Sequence, residues 1–551
     1  RSRRFWSSLD ELIDEEGFRE WLAGEFPAAS SMFDDPGRRQ FLKLMGASLL
    51  LAGLGGCSDG KSGQALPYVN QPEGMVVGVP RYYATAVPFE GYAQPVIATT
   101  YASRPTKLDG NPDHPVTRGT SDAFMQSMVF ELYDPERSKL PLKDGQVTTW
   151  GAATAALTQL RADWRERQGE GLRILTGATT SPTLIRQMAK LTKQFPKVRW
   201  SKHQPVVSVR QDAALALAFG RAVTPHYQLD KCDLIVSLDH DLLGPGPHQV
   251  AHAQAWASKR GEIAPGGGRA KLYVAESVPG LTGTVADARL PCDASRISLL
   301  AQALAAEFGI GDASAALNER EQKWLTNAVN DLRPHASASL VVIGPHHAPE
   351  IQALAPAINA ALKSEAVWYS EPIVEVGEPM PLATLTKEIA AGSVDTLVML
   401  DCNPAYTAPA LLKFTELLKK VPHRVHAGLH ADETAQLCQW HLPLSHALES
   451  WSDGRAVDGS VVLTQPVVAP LYDTRSAHEM LDLLLGVSDA KADAAVRATW
   501  SEKFGDDFKA RWRKALHDGV VADTEAQPLA LALVDALDGV VIGPGDHRVG
   551  Q

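Results

Sequence analysis

The sequence predicts an α/β protein: two lobes on parallel sheets, preceded by a β-rich N-terminal region. Short continuous apolar runs at 172–176, 234–238, 272–276, 340–343 and 396–401 alternate with helix-patterned stretches at 183–195, 250–259, 297–308, 351–362 and 410–420. Strands that are apolar throughout, spaced by amphipathic helices, belong to parallel sheets covered on both faces. A chain of 551 residues is also longer than one core usually organises, which argues for more than one lobe. Its 45% hydrophobic and 21% charged residues are globular proportions, so these runs are cores rather than a series of membrane spans. No fixed-period repeat interrupts the alternation, and Gly266-Gly267-Gly268 reads as an ordinary loop. A net charge of −11 gives no general attraction to nucleic acid or anionic lipid. Nucleic acid is therefore not an expected partner.

Taken in order, residues 1–37 form an amphipathic helical leader. Ser8 and Glu11 make a capping box, and Leu9, Leu12 and Ile13 share a helix face. Gly17 breaks that pattern; Phe18, Trp21 and Leu22 begin a second turn that Pro27 ends. Such a leader is either a mobile arm or a docking arm for a partner or a cofactor-maturation factor. Residues 38–57 follow the logic of an export signal: Arg38-Arg39, then thirteen uncharged residues from 44 to 56, then Leu54-Gly55-Gly56 leading into Cys57. That run spans roughly 20 Å as a helix and falls short of the ~20 residues a bilayer crossing needs. A buried core helix is the alternative. The tract resembles a twin-arginine signal joined to a lipoprotein box. It implies export to the periplasmic side of the inner membrane and a lipid anchor on Cys57.

Residues 58–150 are expected to be a linker and a β-rich segment. Positions 58–64 are small and polar, 66–87 read as irregular wrapping strands, and 96–101 as a strand. Ser103-Arg104-Pro105, Asp109-Gly110 and Asn111-Pro112 are turn formers. The first α/β lobe is expected at 151–335, the second at 336–486, and a helical C-terminal segment at 487–551. Five cysteines stand at 57, 232, 292, 402 and 438, too dispersed for an iron–sulfur cluster held by four local cysteines. Cys232 and Cys402 sit beside strands and are expected to be free packed thiols.

Three stretches invite chemistry. The strand ending at Thr176 runs through Gly177-Ala178-Thr179-Thr180-Ser181-Pro182 into a helix, a natural anion seat that a simple Ser/Thr cap explains equally well. Asp401-Cys402-Asn403-Pro404 places an Asn-Pro turn where open α/β sheets bind ligands. Asp432-Glu433-Thr434-Ala435, Leu442-Pro443, Glu449, Asp453-Gly454, Asp458-Gly459 and Gln465-Pro466 follow in order. His423, His426, His430, Cys438, His441 and His446 raise a metal reading. A strand through 424–426 would keep the first three apart, so packed or surface histidines are expected and no metal. No Gly-x-Ser-x-Gly elbow is present.

Together these stretches resemble the molybdopterin oxidoreductase family over roughly 82–472. The likeness rests on Ser103-Arg104-Pro105, Gly110 to Pro115, Leu132-Tyr133-Asp134-Pro135-Glu136-Arg137-Ser138, Trp150, Asn403-Pro404 and the tract from Asp432 to Gln465. The resemblance implies that Asn111, His114, Thr180, Ser181, Asn403, Glu433 and Glu449 occupy cofactor-site positions. The departures imply that the site is vestigial. Positions 82–107 hold no cysteine for the family's cluster, and Trp200-Ser201-Lys202-His203 offers only Ser201 as a metal ligand. Ser460 stands where the family's tract carries an arginine.

One branch fits these losses. The chain resembles the molybdopterin-like iron–sulfur subunit of alternative complex III, a membrane quinol oxidoreductase. The match includes Phe5-Trp6, Leu9 and Glu11-Leu12 ahead of the twin arginines, Cys438-Gln439-Trp440-His441-Leu442-Pro443, and His446-Ala447-Leu448-Glu449-Ser450-Trp451. It implies a non-catalytic scaffold in respiratory electron transport with no cofactor in this chain. The iron–sulfur clusters would lie in a ferredoxin-like portion or chain, in a separate chain or beyond a fragment's end, and haem in a multihaem cytochrome subunit. Membrane quinol-binding subunits complete the expected partners. The alternatives are an active molybdopterin-dependent oxidoreductase subunit and a periplasmic binding protein.

Overall fold

The computed structural model describes Val76 and residues 78–206, 209–261, 269–311, 316–373 and 380–534. The chain divides into two units, 1–75 and 76–551. The leader, Arg38, Arg39, Cys57 and the linker at 58–64 therefore lie outside the described residues.

The described chain opens on a three-stranded antiparallel sheet, β1 (Arg81–Phe89), β2 (Tyr92–Tyr101) and β3 (Arg104–Gly110). The expectation of irregular strands up to 87 fails from Arg81 onward. Glu90 and Gly91, both at positive φ (48° and 86°), form a two-residue turn whose twist suits a regular hairpin. Val87, Val96, Ala98 and Leu108 of this sheet pack against Met125, Val129 and Leu132 of the helix Ala123–Leu132.

The remaining strands run in chain order. β4 (Leu142–Lys143), β5 (Gln146–Val147), β6 (Leu172–Thr176) and β7 (Arg199–Lys202) come first. β8 (Thr224–Tyr227), β9 (Leu234–Leu238), β10 (Lys271–Glu276), β11 (Ala288–Pro291), β12 (Ser339–Ile343) and β13 (Val367–Ser370) follow. β14 (Met380–Pro381), β15 (Thr396–Leu400), β16 (His423–Gly428), β17 (Trp440–Pro443), β18 (Ser452–Arg455) and β19 (Val461–Thr464) complete the set.

The large sheet has the order β14-β7-β6-β15-β16-β17-β4-β5, parallel from β14 to β17. Counted from β6, its parallel part reads 3-2-1-4-5-6, the order of doubly wound dinucleotide-binding sheets. The smaller sheet, β11-β10-β9-β12, is wholly parallel and reads 3-2-1-4 from β9. It is inserted between β7 and β14, entered through β8 and left through β13, which pair with each other as an antiparallel ribbon. The α/β class with an N-terminal strand region is thus the fold observed. The expected boundary at 335/336 is corrected, because β12, which was to open the second lobe, pairs along its whole length with β9 of the first. Nesting, not succession, makes the two lobes.

Alternating strand residues feed cores on opposite faces. In the inserted lobe Leu234, Val236 and Leu238 join one cluster and Ile235 joins the other. In the large sheet Leu172 and Ile174 face one core and Leu175 the other. Each such aliphatic side chain contributes about 1.5–3 kcal/mol on burial. Two expected helices are broken. The one at 351–362 divides into Pro349–Gln352 and Leu354–Ala361, since Pro356 has no N–H for the Gln352 carbonyl. The one at 410–420 breaks at Lys413, held at φ 49°. Of the helical C-terminal segment expected at 487–551, Ala492–Phe504 and Phe508–Asp518 are helices and pack Trp500, Phe504 and Trp512 on Val461 and Leu463 of β19; 519–534 is not helical, and 535–551 lies outside the described residues. Cys232, Cys292, Cys402 and Cys438 are free thiols. Among the described residues no helix is long and apolar enough to cross a membrane.

Candidate functional site

In the large sheet the chain order reverses between β6 and β15, so the loops after Thr176 and Leu400 flank the crevice where such sheets take ligands. The loop after β6 ends at Ser181, which caps the helix Pro182–Gln194 by accepting from the Leu184 N–H at 3.1 Å. The expected anion seat exists, and it holds an anion of the protein's own. The buried Asp453 carboxylate, from β18, accepts at Oδ1 from the Ser181 hydroxyl and the Thr183 N–H (3.1 Å). At Oδ2 it accepts from the Thr183 hydroxyl and the Trp500 indole N–H (2.9 Å). Both oxygens are saturated, and the positive end of the helix is neutralised.

The neighbouring Thr180 is equally committed. Its hydroxyl accepts from the Arg455 N–H at 2.9 Å and donates to the Gly91 carbonyl at 2.8 Å. The β18–β19 hairpin also receives His114, while Asn111 turns to the end of the helix Phe508–Asp518. Gly110 precedes them because a Cβ there would stand 1.9 Å from the Thr120 carbonyl oxygen. Asn111 donates to the Asp518 carbonyl at 2.7 Å, and its side-chain oxygen accepts from the Asp113 N–H at 3.0 Å. His114 accepts at Nδ1 from the Val116 N–H, which leaves Nε2 to donate to Ser460 Oγ at 3.1 Å. Ser460 in turn donates to Asp458. Burial lowers the His114 pKa to about 4 against the pull of Asp458, so the ring is neutral. The residue that replaces the family's arginine thus closes a hydrogen-bonded chain.

Asn403 and Glu433 meet at the ends of β15 and β16. Asn403 donates to Glu433 at 2.7 Å and accepts from the Thr434 hydroxyl at 2.7 Å. That bond holds the exposed Glu433 carboxyl below its usual range. Glu449 lies apart from both groups, fully buried against a bidentate Arg137 at 2.6 and 3.1 Å. Its other donors are the Leu471 and His446 N–H groups, at 2.9 and 2.8 Å. Burial alone would raise the Glu449 pKa; the Arg137 and backbone hydrogen bonds outweigh it and hold it low.

Three expected positions, His114, Thr180 and Ser181, therefore gather on one hairpin; Asn111 sits on the Asp518 carbonyl, two lie at the β15–β16 ends, and Glu449 stands apart. Ser201 sits inside β7 between β6 and β14, wholly buried. Of the histidines, His426 and His441 stack with their Nδ1 atoms 3.0 Å apart. His426 Nε2 donates to the Cys402 carbonyl, and His441 Nε2 accepts from Ser138. Every ring nitrogen of that pair is used. Sequence reasoning read Asp453 as a turn residue and did not single out Arg137 as the anchor of Glu449. The isolated Asp453-Gly454 dipeptide could have flagged a carboxylate, but nothing local names Ser181 as its partner.

No protein-family model matches the sequence. The chain is similar to the menaquinone reductase, molybdopterin-binding-like subunit, of Nitratidesulfovibrio vulgaris (strain Hildenborough), 27% identical over 441 residues. The match covers 70% of this chain and 62% of that relative, so the chain spans less than two thirds of its length. Among solved structures it is similar to the acetylene hydratase from Pelobacter acetylenicus, with a TM-score of 0.53 at 15% identity, covering 73% of this chain and 68% of that one. In its nested parallel sheets and N-terminal strand region, the chain has a molybdopterin-oxidoreductase-like fold.

Proposed function

We propose that this chain is a non-catalytic, molybdopterin-oxidoreductase-like scaffold subunit of a membrane-bound, quinone-linked electron-transfer complex. The observation that carries the reading is Asp453. A pterin dinucleotide seated at this crevice would bring its phosphates to the helix start at Ser181, where a buried carboxylate already satisfies four donors. A phosphate there would meet like charge in a dry site and would have to displace a covalently tethered competitor. The phosphate-side residues present do not fit the group. The named menaquinone reductase subunit supports the quinone-linked setting.

The finer assignment is to alternative complex III, oxidising quinol at the periplasmic side of the inner membrane. It rests on the twin arginines at Arg38 and Arg39, the lipobox at Cys57 and the tract from Cys438 to Trp451. In that setting an iron–sulfur ferredoxin-like portion, membrane quinol-binding subunits and a multihaem cytochrome are the partners, and they hold the clusters and haem.

The test is elemental and pterin analysis of the chain purified from its native membrane. Molybdenum and tungsten are expected only at trace level, with no pterin fluorescence after oxidation. Stoichiometric metal with pterin would overturn the scaffold reading, and failure to co-purify with haem subunits would overturn the finer assignment.

A further inference from the structure

The inserted lobe repeats the crevice of the large sheet with different chemistry. Its chain order reverses between β9 and β12, and the residues just past those two strand ends are Asp239 and His346-His347. Gly344 permits their approach, since a Cβ there would lie 2.1 Å from the Asp239 carbonyl oxygen. Asp239 Oδ2 stands 3.0 Å from His346 Nε2 and 3.4 Å from His347 Nε2. The three donor atoms all lie within 4.8 Å of one another.

We propose that Asp239, His346 and His347 form a binding site for a divalent transition-metal ion of the zinc class. Ligand atoms held about 2.1 Å from a tetrahedral ion stand about 3.4 Å apart, so two edges of the polyhedron are already close to that spacing. Two imidazoles and one carboxylate are a donor set for zinc and its first-row neighbours, and leave the remaining positions to water. His347 supplies the independent sign of a ligand: it is 7% exposed, and its Nε2 has only the 3.4 Å approach to the Asp239 carboxylate, outside good hydrogen-bond geometry. A buried ring nitrogen left so is costly unless something binds it. The supporting contacts hold the ligands in place. Ser277 donates its N–H and hydroxyl to Asp239 at 3.0–3.2 Å, and Gln352 donates to the His347 carbonyl at 2.6 Å. Arg210 donates to the carbonyl of His346. Such outer contacts orient ligands before the ion arrives. The site is independent of the scaffold reading, because it lies in a different sheet and uses none of the residues around Asp453.

The experiment titrates the full chain, carrying no polyhistidine tag and stripped with chelator, with zinc in competition with a chromophoric chelator. Thermal unfolding is followed in parallel. The expected result is one zinc per chain and a melting temperature that rises with zinc. His346→Ala, at an exposed ring that carries little packing, should weaken binding by more than about 100-fold, beyond the ~10–100-fold of losing an outer partner. It should also abolish the zinc-dependent rise while melting normally without metal. Ser277→Ala should weaken binding about 10-fold, and His517→Ala, at an exposed ring elsewhere, should leave it unchanged. Absence of stoichiometric binding in the unsubstituted chain, or tight binding unaltered in His346→Ala, would overturn the proposal.

Discussion

Two crevices of one molecule share a topology and differ in what fills them. At the switch point of the large sheet, Asp453 reaches in from a hairpin and satisfies Ser181, Thr183 and Trp500. At the switch point of the inserted sheet, Asp239 faces two imidazoles, one of them buried with only a 3.4 Å approach to that carboxylate. Strand order decides where a ligand could sit; the side chains delivered there decide whether the place is closed or open. A fold can thus keep both addresses and seal one of them from within.

The largest effect should come from breaking the seal. Asp453→Ala leaves the Ser181 hydroxyl, the Thr183 N–H and the Trp500 indole N–H without their acceptor and the Thr183 hydroxyl with Thr499 alone, each lost partner worth roughly 1–3 kcal/mol when buried and unpaired. A loss of about 5 kcal/mol in urea unfolding is expected. Asp453→Asn should lose about 3 kcal/mol, because its amide nitrogen must face two donors where an oxygen accepted them. Added formate or phosphate should restore part of the stability of Asp453→Ala and none of that of the unsubstituted chain. An alanine variant as stable as the parent would mean the carboxylate is incidental.

Second in size is the buried ion pair between Glu449, ahead of β18, and Arg137, in the loop after the helix Ala123–Leu132. Arg137→Ala leaves Glu449 charged, fully buried and short of its bidentate partner, which should cost about 4 kcal/mol. The sign with pH follows from the depressed Glu449 pKa: its stabilisation is complete above the unfolded carboxyl value and is lost as pH falls through the folded one. The variant's deficit should therefore shrink in acid. A deficit that grows in acid would contradict the assigned charge state.

How much of this was legible beforehand differs by scale. The runs at 172–176 and 234–238 appear as strands with those bounds, since a continuous apolar run bounded by polar residues has few other destinations. The nesting of one sheet in the other was not legible, because β9 and β12 are alike in pattern to β6 and β15 and nothing local records which strand pairs with which. The same limit hid the seal. Ser181 and Asp453 are 272 residues apart, and each alone reads as a cap or a turn. Asp239, His346 and His347 went unremarked for a related reason: each follows its strand by only a few residues, and only the parallel pairing of β9 with β12 joins them. By contrast, the expectation that the histidines near 423–446 are packed or at the surface matches the stacked, hydrogen-bonded pair of His426 and His441.

That pair yields the third effect. Burial takes His426 from 6.5 to about 4 and, with repulsion from His426 added, His441 to about 3. Both rings are neutral in the fold and gain protons more readily when unfolded, so stability is complete above pH 6.5 and falls as pH drops toward 4. For one ring the fall is about 3 kcal/mol, at about 1.4 kcal/mol for each pH unit. His426→Gln should flatten that slope without changing stability much at pH 8; an unchanged slope would show that other groups govern acid unfolding.

The smallest expected effect sharpens the contrast most. Asp239→Asn makes the same chemical change as Asp453→Asn at the other crevice. Here the remaining oxygen still accepts from Ser277, and the new amide N–H can donate to an imidazole nitrogen, so in metal-free buffer the loss should stay near 1 kcal/mol. A small loss here beside a large one at Asp453 would mark the first carboxylate as a part of the fold and the second as a ligand of the proposed ion. Comparable losses at both positions would erase that distinction and make Asp239 a second internal plug.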